Sequence, residues 1–151
     1  MRTWMLLALV ATMGIGAGVG GYTFFYAHGL SYLSSDPAAC KHCHVMQHHY
    51  DSWNRASHHA VAVCVDCHLP ADFVGKWWAK VVNGWHHSKA FTLQDFPDPI
   101  RITERNARIL QQNCVRCHQD MVEEMLSFGG EDPQRDRCAR CHAAAGHGPR
   151  E

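Results

Sequence analysis

The residues able to do chemistry are concentrated in a five-residue unit, Cys-x-x-Cys-His, that occurs four times: Cys40-Lys41-His42-Cys43-His44, Cys64-Val65-Asp66-Cys67-His68, Cys114-Val115-Arg116-Cys117-His118 and Cys138-Ala139-Arg140-Cys141-His142. The four units use all eight cysteines, so none is left for a disulfide or a free thiol. Two thiols followed at once by an imidazole suit c-type haem attachment. The thiols form thioether bonds to the haem vinyl groups and the histidine reaches the iron, whose axial ligands then set the redox potential. The sequence therefore predicts four covalently bound haem c groups.

Zinc competes for the same cysteines. Twenty residues separate Cys43 from Cys64, and the same gap separates Cys117 from Cys138. That spacing fits paired C-x-x-C zinc sites. The fifth position separates the readings. His makes up 13 of 151 residues, so four chance successes have odds on the order of 10⁻⁴ or less, by composition against the motif. Structural zinc has no need of a histidine directly after every pair.

At 151 residues the length suits one modest domain. Four haems would supply much of its core, so the expected fold is mostly α with little regular secondary structure. Formal net charge is zero with His neutral, which argues against a nucleic-acid partner. Covalent haem attachment takes place on the outer face of the bacterial membrane, which implies a periplasmic or equivalent compartment.

Something must hold the motifs at their place of work. From Thr3 to Ala27 there is no charged residue, and the stretch is rich in Leu, Val, Met and Phe. About twenty such residues cross a hydrocarbon core. Trp4 at one end, with Tyr22 and Tyr26 at the other, suits interfacial aromatic belts, and Arg2 favours the N-terminal end inside. A cleaved signal peptide is the rival, but the apolar run is long and no clear small-x-small site precedes a polar start. The expected organisation is residues 1–28 as transmembrane anchor and 29–151 as a tetrahaem domain. Gly16-Ala17-Gly18-Val19-Gly20-Gly21 matches G-x-G-x-x-G, but no βαβ unit surrounds it and the dinucleotide reading fails. These small residues form a helix-packing face or simply occur in a membrane helix.

Ser31 to Pro37 reads as a turn into the first motif. Residues 73–87 (FVGKWWAKVVNGWHH) read as a helix whose Trp77, Trp78, Trp85, Lys76 and Lys80 have an interfacial composition. An ordinary helix packing its tryptophans on haem is the alternative, and the two are compatible. Phe96-Pro97-Asp98-Pro99 breaks the chain before another helix at about Thr103 to Asn113, with Thr103 as cap. Gly129-Gly130-Glu131-Asp132-Pro133 reads as a loop. The equal gaps within motif pairs one–two and three–four suggest duplication of a two-haem unit.

Four irons have eight axial positions, and the motif histidines His44, His68, His118 and His142 can fill four. His59, just before motif two, and His147, just after motif four, could each reach a neighbouring haem. Met46, two residues after His44, is either a packing residue or a thioether ligand, which would raise the potential relative to bis-His.

Taken together, the anchor, the four motifs and Met46 resemble the NapC/NirT family of membrane-anchored multihaem quinol dehydrogenases. The resemblance covers nearly the whole chain. It rests on residues 31–37 (SYLSSDP), on 40–46 (CKHCHVM), on 84–93 (GWHHSKAFTL) and on His142 followed by His147. It implies that the first haem takes Met46 rather than the motif histidine as ligand. His59 is expected on the fourth haem and His147 on the third. The second haem can be completed by a lysine from a partner subunit. The family's quinol-site lysine falls on Lys80. An acidic residue found at the distal face of haem one in some relatives is replaced by His87, which could ligate iron, accept a quinol proton, or both.

The activity implied is oxidation of menaquinol at the inner (cytoplasmic) membrane. Lys80 and His87 would orient the quinol hydroxyls, and His87 would take a proton because imidazole titrates near neutrality. Electrons would pass through the four haems to the catalytic subunit of a periplasmic multihaem nitrite reductase in a hetero-oligomer, with the lipid bilayer and quinol pool as further partners. Two rivals keep the haems and drop this site. One is a tethered tetrahaem carrier without its own quinol site. The other is a terminal enzyme reducing a small oxyanion at an open haem, for which no distal arginine or tyrosine cluster is evident.

Overall fold

The computed structural model describes residues 2–128 and 137–148. The expected loop at residues 129–133 lies outside them. Contacts divide the chain into two compact units, Met1–Ser34 and Ser35–Glu151. The elements in order are α1 (Arg2–Tyr26), three 3₁₀ turns (Gly29–Leu33, Pro37–His42, His44–Met46), α2 (Gln47–Asn54), α3 (Cys64–His68), α4 (Phe73–Leu93), α5 (Glu104–Phe128) and α6 (Cys138–Cys141). The described residues contain no strand, so the expected mostly helical fold is what the chain adopts.

In the first unit, α1 runs for 25 residues with no buried side chain, long and apolar enough to cross a membrane. At about 1.5 Å per residue it extends roughly 37 Å. Thr12 hides its hydroxyl by donating to the Ala8 carbonyl at 2.8 Å, and Tyr22 and Tyr26 stack at 6.0 Å. The helix gives way to the first 3₁₀ turn at His28, whose left-handed backbone (φ 52°) breaks the α ladder.

The second unit shows why its elements begin where they do. Asp36 accepts from the amide of Ala38 at 2.8 Å, and Pro37 presets the first helical φ, so the expected turn into motif one becomes a capped 3₁₀ turn. Asp66 folds its carboxylate back onto the Val63 amide at 3.0 Å and starts α3. Asp72 caps α4 by accepting from Gly75 at 2.6 Å. Residue 75 is glycine because a Cβ there would overlap the Asp72 carboxylate. Thr103 caps α5 as its sequence context predicts, accepting from Asn106 at 3.4 Å.

Two helices outrun their sequence signals. α4 continues past His87 to Leu93 and stops where Gln94 turns left-handed (φ 55°). α5 continues through the whole third motif, with a kink at His118 (φ −112°, ψ 19°).

Buried apolar residues among those described are few and small: Ala56, Leu69, Ala79, Ala107 and Ile109. Ser52, Lys80 and Asn113 are buried beside them. Bound porphyrin rings would add apolar surface to so small a core.

Candidate functional site

Each motif sits on a short helical stretch. Motif two is α3, motif four opens α6, motif three lies within α5, and motif one spans two 3₁₀ turns. On a helix, residues three and four apart share a face. In α3, which holds motif two whole, C-x-x-C-H therefore turns both thiols and the imidazole to one side, the arrangement that attachment to one macrocycle needs. Among the described residues no three His, Cys, Asp or Glu side chains converge on a common ion site.

The motifs are fastened to one another. Cys64 shares a thiol hydrogen bond with Cys40, which holds the Cys40 thiol down to about 7 and pushes that of Cys64 up. Cys67 lies within electrostatic reach of Cys117, and Cys114 of Cys138 and Cys67. Cysteines of successive motifs are therefore within electrostatic reach of one another, one with two, two with three and three with four. Asn113, buried on α5, donates to the carbonyls of Cys67 at 3.0 Å and Leu69 at 2.8 Å. Gln111 accepts from the amide of Cys138 at 2.9 Å and holds the start of motif four. Arg137 pairs with Glu104 at the base of α5.

The histidines outside the motifs fall into two groups. His147 donates Nδ1–H to the carbonyl of His49 at 3.1 Å. His58 donates Nδ1–H to the carbonyl of Ala145 at 3.0 Å. Against a carbonyl oxygen Nδ1 can only donate, so Nε2 carries the lone pair, and the ring is oriented as a histidine that ligates a metal is. His147 lies 6.0 Å from the ring of His68, and His58 lies 6.0 Å from that of His118. Gly148 (φ 67°), with its amide on the Ala144 carbonyl at 2.8 Å, makes the turn that presents His147. His68 is pushed down to about 4, first by burial and then by His147 and His49, and so is held in the neutral, metal-binding form.

His59 packs edge-on against Trp53 at 4.9 Å instead. The residue brought to motif three, and to a cavity of about 520 Å³ lined by Cys141 and His142, is its neighbour His58. The sequence signal for it was weak: two adjacent histidines, one of which bonds a carbonyl across 87 residues of sequence. In the 3₁₀ turn after motif one, His44 is exposed and Met46 half-buried.

Lys80 is 5% exposed. Its ammonium lies over the Trp77 ring at 5.2 Å. Burial and then Lys76 push its pKa down, while Cys40 of motif one, within electrostatic reach, opposes them. His87, two turns along α4, stands at the surface. Partial burial and His86 push its pKa down.

The NapC/NirT cytochrome c family, N-terminal region, matches residues 1–107. The cytochrome c-type protein NrfH of Wolinella succinogenes is 36% identical across 96% of this chain and 87% of its own length. The cytochrome c nitrite reductase subunit NrfH of Nitratidesulfovibrio vulgaris is 27% identical across 80% of this chain and 72% of its own. A chain in the crystal structure of the cytochrome c nitrite reductase NrfHA complex bound to the HQNO inhibitor shares the fold, with a TM-score of 0.67 and 23% identity over 91% of this chain and 90% of that one. The chain belongs to the NapC/NirT cytochrome c family. It is accordingly a cytochrome with a redox role and covalently bound haem c.

Proposed function

We propose that this chain is a membrane-anchored quinol dehydrogenase that oxidises menaquinol and passes the electrons through four c-type haems to the catalytic subunit of a periplasmic nitrite reductase. The observation that carries the reading is Lys80, buried on α4 within electrostatic reach of Cys40 of motif one. Burying an ammonium is disfavoured. It is retained where a polar group needs a charged donor, and a quinol hydroxyl at the first haem is such a group. His87 lies seven residues on, along the same helix face as Lys80. Its lowered pKa keeps the imidazole neutral and able to accept the hydroxyl proton. Each quinol loses two protons through this acceptor to the outer solvent and two electrons singly. The bound haems supply the one-electron acceptors.

Met46 serves the first haem, which its half-buried position beside an exposed His44 supports. His68, His118 and His142 serve the other three as motif ligands. His147 and, in place of His59, His58 serve as distal ligands; their Nδ1 hydrogen bonds support both assignments. One motif-histidine iron is then left without a distal ligand from this chain, a position that a partner subunit can complete. That the Nitratidesulfovibrio relative is a nitrite reductase subunit supports this partner and a hetero-oligomer. α1 as anchor, with Arg2 inside, supports residence in the inner membrane with the haem domain on the periplasmic side.

The test uses the Lys80→Ala/His87→Ala double variant in membranes. Haem reduction by a menaquinol analogue should be lost while dithionite still reduces all four haems. Quinol oxidation at the normal rate in that variant would refute the site.

A further inference from the structure

α2 ends at a cation. Arg55 is its C-terminal cap, with the backbone amide donating to the Ser52 carbonyl at 3.2 Å. Arg55 and the three residues after it line the cavity of about 520 Å³, together with Cys141 and His142 of motif four. That volume falls in the range of cofactor sites, about 300–1,000 Å³. The rest of its wall is alanine and glycine, which leaves width for a flat ring. The segment is fixed in place: Ser57 Oγ donates to the Ala145 carbonyl at 3.4 Å and His58 Nδ1 to the same carbonyl at 3.0 Å. Arg55 is thereby held in register with the turn after motif four.

No Asp or Glu lines this cavity, and Arg55 is the lining residue that stays cationic at every pH a cell meets. The ion pairs among the described residues are Lys89 with Asp95 and Arg137 with Glu104, so none of their carboxylates neutralises Arg55. Arg55 is exposed. A haem carries two propionates, and carboxylates stay near water while the ring is buried. A guanidinium matches a carboxylate with two parallel N–H···O bonds. We propose that Arg55 binds a propionate of the haem attached at motif four and so holds the potential of that haem up. Ferric haem carries one more positive charge than ferrous haem, and an uncompensated carboxylate beside it favours the ferric form. Arg55 cancels that charge and favours the ferrous form. This role depends on haem attachment at motif four and not on the quinol site. A cation also complements the C-terminal end of α2, but that interaction alone would leave the haem unaffected.

The experiment compares Arg55→Gln and Arg55→Lys with the parent, each as the full haem-loaded chain. A pyridine haemochrome assay should count four haems per chain in the parent. Titration at about pH 8, well above the carboxylate range near 4, should show one of four potentials lowered in Arg55→Gln. The ferrous-to-ferric ratio of that haem at fixed applied potential should fall about three- to tenfold, tenfold being about 59 mV for one electron. Arg55→Lys keeps the charge and should hold the ratio within about twofold of the parent, but it loses the paired donors. The propionate bending band in resonance Raman spectra should therefore shift in both variants. If Arg55→Gln fails to mature, the band in Arg55→Lys decides alone. Four haems with the band unmoved in Arg55→Lys, or with all potentials unchanged in Arg55→Gln, would overturn the proposal. Fewer than four haems in the parent would instead remove the reading of motif four on which it depends.

Discussion

The Nδ1–H of His58 donates to the backbone carbonyl of Ala145 at 3.0 Å, tying the segment before motif two to the turn after motif four. That bond orients the ring toward His118 and the cavity beside Cys141 and His142, and leaves Nε2 free to ligate. His58→Ala should convert one haem in four to a high-spin or newly exchangeable state, visible in electron paramagnetic resonance and in binding of an added imidazole. His59→Ala should leave all four spectra unchanged, because the ring of His59 packs on Trp53. The opposite pattern would return the assignment to His59.

Asn113 is the clamp between motifs two and three. Its side-chain amide donates to two carbonyls of the motif-two segment, and its oxygen accepts from Arg116 Nε at 3.4 Å. Asn113→Ala leaves those buried carbonyls unsatisfied at about 1–3 kcal/mol each. A loss of roughly 2–4 kcal/mol is expected, read as a lower guanidinium midpoint at unchanged slope. Asn113→Asp should be no better, since a carboxylate accepts hydrogen bonds and cannot donate to the carbonyls of Cys67 and Leu69.

What the sequence made legible follows from how local each determinant is. Four Cys-x-x-Cys-His units announce haem because spacing on one helical face is local chemistry. α1 is legible because a charge-free run needs no partner to be recognised. Thr103 is legible as a cap for the same reason. The choice between His58 and His59 is not local, since it depends on a carbonyl 87 residues away. The end of α4 is equally hidden: Gln94 turns left-handed where glycine or proline would have signalled a stop. The continuation of α5 is also secured by Asn113, which donates to the carbonyls of Cys67 and Leu69, partners 46 and 44 residues away that no local signal announces.

On the proposed quinol site, the buried lysine should give the reaction an alkaline pH limb. Desolvation, then Lys76, lowers the Lys80 pKa from its ordinary value of 10.5. The ammonium is the form proposed to donate to the quinol oxygen, so activity should be full below the folded pKa and be lost as pH rises through it. The loss must therefore begin below pH 10.5. Lys80→Arg should remove this alkaline limb, since guanidinium stays charged. Lys80→Met should depress quinol oxidation at every pH. Rates measured with a quinol analogue from pH 6 upward decide the matter; an alkaline limb that survives in Lys80→Arg would exclude Lys80 as its source.

Met46 follows motif one by two residues and turns inward where His44 does not. A thioether ligand favours the reduced iron relative to imidazole, so Met46, if it serves as proposed, would raise the potential of the first haem toward that needed to take an electron from quinol. Met46→His should lower one of four potentials by on the order of 0.1 V, a fraction of the roughly 0.8 V that axial ligands command. Quinol should then reduce that haem poorly while dithionite still reduces all four. The half-buried position at 46 accepts a leucine of similar volume, so Met46→Leu separates ligation from packing. If Met46→Leu keeps the potential and the quinol rate of the parent, Met46 is a packing residue and His44 holds the first iron.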